Sequence, residues 1–262
     1  MAPRKQADQM PFLDHLEELR FRLFWMVGAL LAGVVVSFWA ILEFNLLLLL
    51  QRPILPYLNG APLVVTNPGD GFGILISTSL ISGVVLALPV LVYHIWAFLS
   101  PGLYAHEKRL MIPVTLGATV LFLGGVSLSA FVVLPLTLRF LMEVTAEAFQ
   151  PMITASGYFN FAITMSLAFG VVFELPIVIV ALTALGLVTP PMLVRFRRFA
   201  VVGCLVVSAF VTPGADMLSL LAMAVPLYLL YELSLVLSYL VYRRKQRRLA
   251  AEAAEQTIGV PA

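Results

Sequence analysis

Charge is what this chain has least of. Only 11% of its 262 residues are Asp, Glu, Lys or Arg, against about 25% in a soluble domain. With 61% hydrophobic residues and a mean hydropathy of +1.00, too few polar groups exist to cover a water-facing surface. A soluble globule is excluded and a multispanning membrane protein is expected. Cysteine is nearly absent too: Cys204 stands alone in an apolar run, can form no internal disulfide, and reads as a small packing residue. Only three histidines occur, none placed with a Ser or Cys for nucleophilic catalysis. His106-Glu107 opens an H-E-x-x-H pattern, but its last position is Leu110, so no zinc pair forms. Pro213-Gly214-Ala215-Asp216 shares only its Gly and Asp with the loop of an intramembrane aspartyl protease, and no second mid-membrane Asp exists. No Gly-rich phosphate loop and no internal repeat of the transporter kind appear. An enzyme is not expected, nor a metal, a cofactor or a nucleic-acid partner.

What is present begins with a short charged stretch, Asp14-His15-Leu16-Glu17-Glu18-Leu19-Arg20-Phe21-Arg22-Leu23. At helical spacing Phe12, Leu16, Leu19 and Leu23 share one stripe, away from Asp14, Glu18 and Arg22. Residues 10–22 are expected to form an amphipathic helix at a membrane surface, with carboxylates toward water. The plainer reading is that Glu18 pairs with Arg22 four residues on and the segment only anchors the chain.

The apolar runs that follow are long enough to cross a bilayer at about 20 residues each. Residues 23–42 form the first. Residues 43–71, broken by Pro53, Pro56, Asn59-Gly60, Pro62 and Asn67-Pro68-Gly69, read as an external cap. Spans follow at 72–99, with a kink expected at Pro89, at 110–134, and at 158–187. Residues 135–157 form a second external stretch. Residues 199–211 are apolar but number only 13, which at 1.5 Å per residue reach about 20 Å, against about 30 Å of hydrocarbon. A turn at 212–216 leads to a final run at 217–242, and a basic tail occupies 243–262. A hairpin containing so short a span must thin the bilayer or draw its turn inward.

Charge placement sets the topology. Fourteen of the sixteen Lys and Arg residues fall on one side if the tail lies there, and only Arg52 and Arg139 fall on the other. The positive-inside rule then puts both termini in the cytoplasm and requires six spans across residues 23–242 of a single domain, 1–262.

Two carboxylates stand inside the apolar runs. Glu174 lies well within the fourth, where an acid faces a cavity, a partner or a water path, or is bonded to a neighbouring helix. Glu232 is nearer the cytoplasmic end and can reach the interface. Asp216 on the external turn is placed to cap the last helix.

The segment His15-Leu16-Glu17-Glu18-Leu19-Arg20-Phe21-Arg22-Leu23 resembles the N-terminal signature of the TatC family, the multispanning receptor subunit of the twin-arginine protein translocase. So does Tyr93-His94-Ile95-Trp96-Ala97-Phe98-Leu99-Ser100-Pro101-Gly102-Leu103-Tyr104-Ala105-His106-Glu107-Lys108-Arg109. Ala168-Phe169-Gly170-Val171-Val172-Phe173-Glu174-Leu175-Pro176 and Val211-Thr212-Pro213 match as well, in the same order. The resemblance implies an all-α integral membrane protein of the bacterial cytoplasmic membrane. It would have six transmembrane helices, cytoplasmic termini and a cupped, glove-like bundle with short helices 5 and 6. It implies binding of twin-arginine signal peptides on folded cargo, recruitment of the single-span subunits TatA and TatB, assembly into oligomers, and dependence on the proton-motive force. Glu18 and Glu107, with Arg20 and Phe98, look like the signal-binding positions. Glu174 looks like the family's intramembrane polar position, with Glu232 as a further candidate beside it. Pro53 and Asp216 look like functional positions of the external cap and turn, although the turn here is one residue longer than the family's pattern.

The residues agree with that implication on their own terms. Carboxylates recognise arginine pairs best, through paired charge-assisted hydrogen bonds that an ammonium cannot reproduce. The alternative function is a proton-coupled small-molecule transporter with Glu174 as its relay.

Overall fold

The computed structural model describes residues 10–58, 60–99, 111–145, 152–211 and 217–258. Glu107 and Asp216 lie outside them. Among the described residues the chain is helical throughout, with one isolated bridge and no strand.

Helix α1 (Met10–Glu43) is one uninterrupted helix of 34 residues. This corrects the expectation of a separate surface helix at 10–22. No Pro or Gly stands between Phe12 and Val27 to break it, and Leu, Glu, Arg and Met all favour helix. The charged segment is therefore the end of the first span. Leu16, Leu19 and Leu23 are all exposed, so the apolar stripe is open to lipid or to a partner. Asn45 turns the chain in the left-handed region, at φ 50°, a conformation Asn tolerates. The short α2 (Leu46–Leu50) and a 3₁₀ turn at Leu55–Tyr57 follow, as expected for the cap.

Helix α3 (Asp70–Leu99) starts at a carboxylate that accepts hydrogen bonds from the Asn67 N–H (3.0 Å) and the Thr66 hydroxyl (2.9 Å). Its negative charge suits a helix N-terminus. The helix passes through Pro89 without ending.

Helix α4 (Met111–Leu128) does not stop at residue 134. A π-helical turn (Ser129–Val133) carries it into α5 (Leu134–Thr145). Pro135 is tolerated because it sits at the start of α5, where the wider turn has already altered the hydrogen-bond pattern. The expected external stretch is thus helical as far as Thr145. Helix α6 (Ala155–Phe173) is tied to the cap by the bridge of Val64 with Thr154, in which the Ala155 N–H donates to the Val64 carbonyl at 2.8 Å.

The fourth apolar run is divided rather than continuous. Glu174 separates α6 from α7 (Leu175–Leu185). Gly186, at φ 82°, closes α7, with the Leu187 N–H returning to the Leu182 carbonyl at 2.9 Å. Helix α8 (Pro190–Val211) has 22 residues, but Arg195, Arg197 and Arg198 occupy its first part, leaving the short apolar stretch that was expected. Helix α9 (Met217–Ile258) has 42 residues. It is not short, because the basic tail continues it without a break.

Among the described residues, five helical stretches are long and apolar enough to cross a membrane: Leu16–Glu43, Asp70–Phe98, Ile112–Glu143, Ala155–Ala184 and Met223–Arg247. The sixth expected crossing, α8, is long enough at 22 residues but is not among them, because Arg195, Arg197 and Arg198 leave no sufficiently apolar stretch of that length. The chain divides into two units, residues 1–123 with 142–163, and 124–141 with 164–262.

Burial follows bilayer logic. Large side chains such as Phe131 and Phe210 are more than 80% exposed, while Ser79, Thr183, Ser234 and Ser238 are buried. Small residues let helices approach where hydrophobic contrast cannot drive association. In the first unit α1 and α3 run antiparallel at a close approach: a Cβ on Gly33 would lie 2.6 Å from the Gly83 carbonyl oxygen, and one on Gly83 2.7 Å from the Val34 backbone. Backbone cannot yield as a flexible side chain can. Gly83→Val is expected to destabilise the protein by about 1–3 kcal/mol through overpacking. Gly28→Ala, where nothing lies within 4 Å, should not destabilise it, since Ala favours a helix interior over Gly. Thermal denaturation in detergent compares the two.

Candidate functional site: the charged end of α1 and the helix break at Glu174

The packing of α1 on α3 determines which candidate residues meet. Trp25 stacks on His94, with ring centroids 6.5 Å apart and planes 10° from parallel. Together with the Gly33–Gly83 contact this fixes the antiparallel register, which places the last turn of α3, and so Phe98, at the level of Glu18 and Arg20. Phe21 meets Trp25 edge-on and Tyr93 meets His94 likewise. An aromatic shelf therefore lies directly beneath the charged end.

Glu18 is half-buried and already holds a guanidinium. Arg22, one turn on, donates to its Oε1 from Nε (3.0 Å) and also from Nη2. This is the i,i+4 pair that the sequence allowed. Arg20 points to a different neighbour, its guanidinium carbon 6.0 Å from the Phe24 ring centre. The structure thus brings Glu18, Arg20 and Phe98 to one end of one helix pair.

Glu174 lies in the second unit, at the tight turn between α6 and α7. Pro176 has no N–H, so the α-helical ladder fails here. The Glu174 N–H donates to the Val171 carbonyl (3.1 Å), and the Glu174 carbonyl accepts from Ile177 and Val178 (3.0 Å each). The carboxylate oxygen Oε1 is buried without a hydrogen-bond partner. Glu232 is different. It accepts from Arg197 (2.7 Å) and from the Tyr228 hydroxyl (2.7 Å), which gives it a complete structural role joining α8 to α9. Pro53 is half-buried beside Ile54, which is wholly buried in the cap.

Sequence reasoning missed the Trp25–His94 stack, the Arg197–Glu232 pair and the bond between the Thr183 and Ser238 hydroxyls at 2.7 Å, which links α7 to α9. Each joins residues tens of positions apart, and no local pattern signals it.

The family described as "Sec-independent protein translocase protein (TatC)" matches residues 14–226. The chain belongs to the TatC family. It is 38% identical over 240 residues to TatC of Aquifex aeolicus, covering 90% of this chain and 98% of the relative. It is 40% identical over 232 residues to TatC of Deinococcus radiodurans, covering 87% and 85%. A crystal structure described as "Twin Arginine Translocase Receptor- TatC in DDM" matches with a TM-score of 0.77 at 38% identity, over 86% of this chain and 99% of that one. The all-helical fold is thus the fold of solved TatC structures. With its membrane-crossing helices, the chain is a multi-pass protein of the bacterial cytoplasmic membrane, and its relatives bear the names of protein translocase components.

A buried acceptor without a donor lowers the stability of this TatC-family fold. Glu174→Leu removes that acceptor and should raise stability toward denaturant by about 1 kcal/mol. Glu174→Gln, which keeps a polar group in place, should not. Equilibrium unfolding of the three proteins in one detergent measures the difference.

Proposed function

We propose that this chain is the signal-peptide receptor and core of a twin-arginine translocase. It binds twin-arginine signal peptides of folded cargo at Glu18 and Glu107, with Arg20 and Phe98 beside them. With TatA and TatB it moves that cargo across the membrane, drawing on the proton-motive force. Both termini lie in the cytoplasm and α8 makes the sixth, short crossing. Receptor complexes contain more than one copy of the chain. Pro53 and Asp216 act on the external side, in the cap and the turn.

The observation that carries this reading is the Glu18–Arg22 pair. The Glu18 carboxylate holds a guanidinium through two N–H donors within the protein itself, which is the chemistry a signal arginine requires. The incoming arginine exchanges with Arg22 on that carboxylate. The aromatic shelf of Phe21, Trp25, Tyr93 and His94 continues below, where the apolar part of a signal can lie. The names of the relatives and of the matched crystal structure support the same reading.

Two variants test it by titration of a labelled twin-arginine peptide against the purified chain in nanodiscs. Glu18→Gln should weaken binding about tenfold or more, since a charge-assisted hydrogen bond contributes about 1.5–3 kcal/mol. Arg22→Gln should strengthen binding several-fold by removing the resident guanidinium. Unchanged binding in Glu18→Gln contradicts the site.

The unpartnered Oε1 of Glu174 favours a second reading, in which this carboxylate relays protons for a small-molecule transporter. Solute uptake by vesicles holding this chain alone, abolished by Glu174→Gln, would favour it. Under the receptor reading Glu174 meets a polar group of a partner helix or of the signal, and no uptake occurs.

A further inference from the structure

The start of α8 and the end of the apolar part of α9, both in the second unit, enclose an open groove of about 380 Å³. Its walls differ in character. Pro190 and Pro191 begin α8 and supply no N–H, so that wall is apolar. The α9 wall carries Tyr239, Tyr242, Arg243 and Arg247. Arg243 and Arg247 are four residues apart and so share a helix face. Both are exposed, and among the described residues neither makes an ion pair. The Arg243 guanidinium carbon lies 5.4 Å from the Tyr239 ring centre, which holds the charge against the groove wall.

Two neighbouring cations are committed elsewhere. Lys245 donates to the Ala184 carbonyl at the end of α7 (2.7 Å), and Arg197 is paired with Glu232 (2.7 Å). The groove lies where the apolar stretch Met223–Arg247 ends, which is the depth of lipid headgroups. About one and two helical turns further into the membrane, Leu240 and Val236 are both about half exposed.

We propose that this groove binds the phosphate headgroup of an anionic phospholipid. Arg243 and Arg247 hold the phosphate, the tyrosines flank the glycerol region, and an acyl chain runs along Val236 and Leu240. Basic pockets at the ends of membrane helices have the charge and depth for such lipids. A free phosphate fits less well, because the α8 wall offers it no donor. The occupant would clamp α8 to α9 at the end where α8 is least apolar. The inference does not depend on the receptor reading.

Native mass spectrometry of the full chain, released from detergent with equal amounts of phosphatidylglycerol and phosphatidylcholine, tests it. Phosphatidylglycerol adducts should exceed phosphatidylcholine adducts at least fivefold, and the excess should vanish in Arg243→Gln/Arg247→Gln. Arg244→Gln, outside the groove lining, should keep it, and circular dichroism checks that each variant is folded. An equal count for both lipids, or an excess that survives the double substitution, overturns the proposal. Loss of the excess on adding millimolar inorganic phosphate would assign the groove to the free anion instead.

Discussion

The close approach of α1 to α3 at Gly33 and Gly83 is the contact on which the charged end of the first unit depends. Lipid offers no hydrophobic contrast between helices, so their association rests on how near two backbones can come. Two glycines remove the side chains that would hold them apart. The register so fixed stacks Trp25 on His94 and brings Phe98 level with Glu18 and Arg20. Continuity of α1 then matters, because the carboxylate of Glu18 is carried on the same rigid rod that crosses the membrane. A hinge after residue 22 would have left its position to the surface.

The second unit is held by polar contacts instead. Thr183 and Ser238 bond across α7 and α9, Arg197 and Glu232 across α8 and α9, and Lys245 reaches the carbonyl end of α7. The Tyr231 hydroxyl donates to the Leu193 carbonyl, beside a small apolar cluster of Ile179, Leu193 and Tyr231. Unlike these satisfied groups, and like the hydroxyls of Ser129, Thr137 and Ser208, the Glu174 oxygen is buried without a partner. Pro176 breaks the helix next to it, and an acceptor is left buried in an apolar span. Retention of such a group at a cost in stability is the usual mark of function inside a membrane.

Much of this was legible in the sequence. Apolar runs gave the five helical stretches able to cross a membrane, because the length a bilayer demands leaves little freedom. The cap at 43–71 was visible from its prolines and glycines, and Glu174 from its isolation among apolar residues. The shortness of the apolar part of α8 was visible by counting. The missed features have physical reasons. Polarity changes at residue 23 but helix propensity does not, so a boundary expected from polarity proved to be none. Pro135 reads as a terminator, yet the π-helical turn before it absorbs the missing donor. The tail of α9 is charged, yet its Arg, Lys, Ala and Gln residues are good helix formers. The pairing of Glu232 with Arg197 was not legible because the two become neighbours only when α8 folds back on α9.

The most direct measurement of the central claim is photo-crosslinking from positions 18 and 107 to a labelled twin-arginine signal peptide, with a twin-lysine peptide alongside. Crosslinks are expected from both positions with the arginine peptide and should be lost with lysine, since the recognition is of guanidinium by carboxylate. Equal crosslinking with both peptides, or none with either, would contradict it.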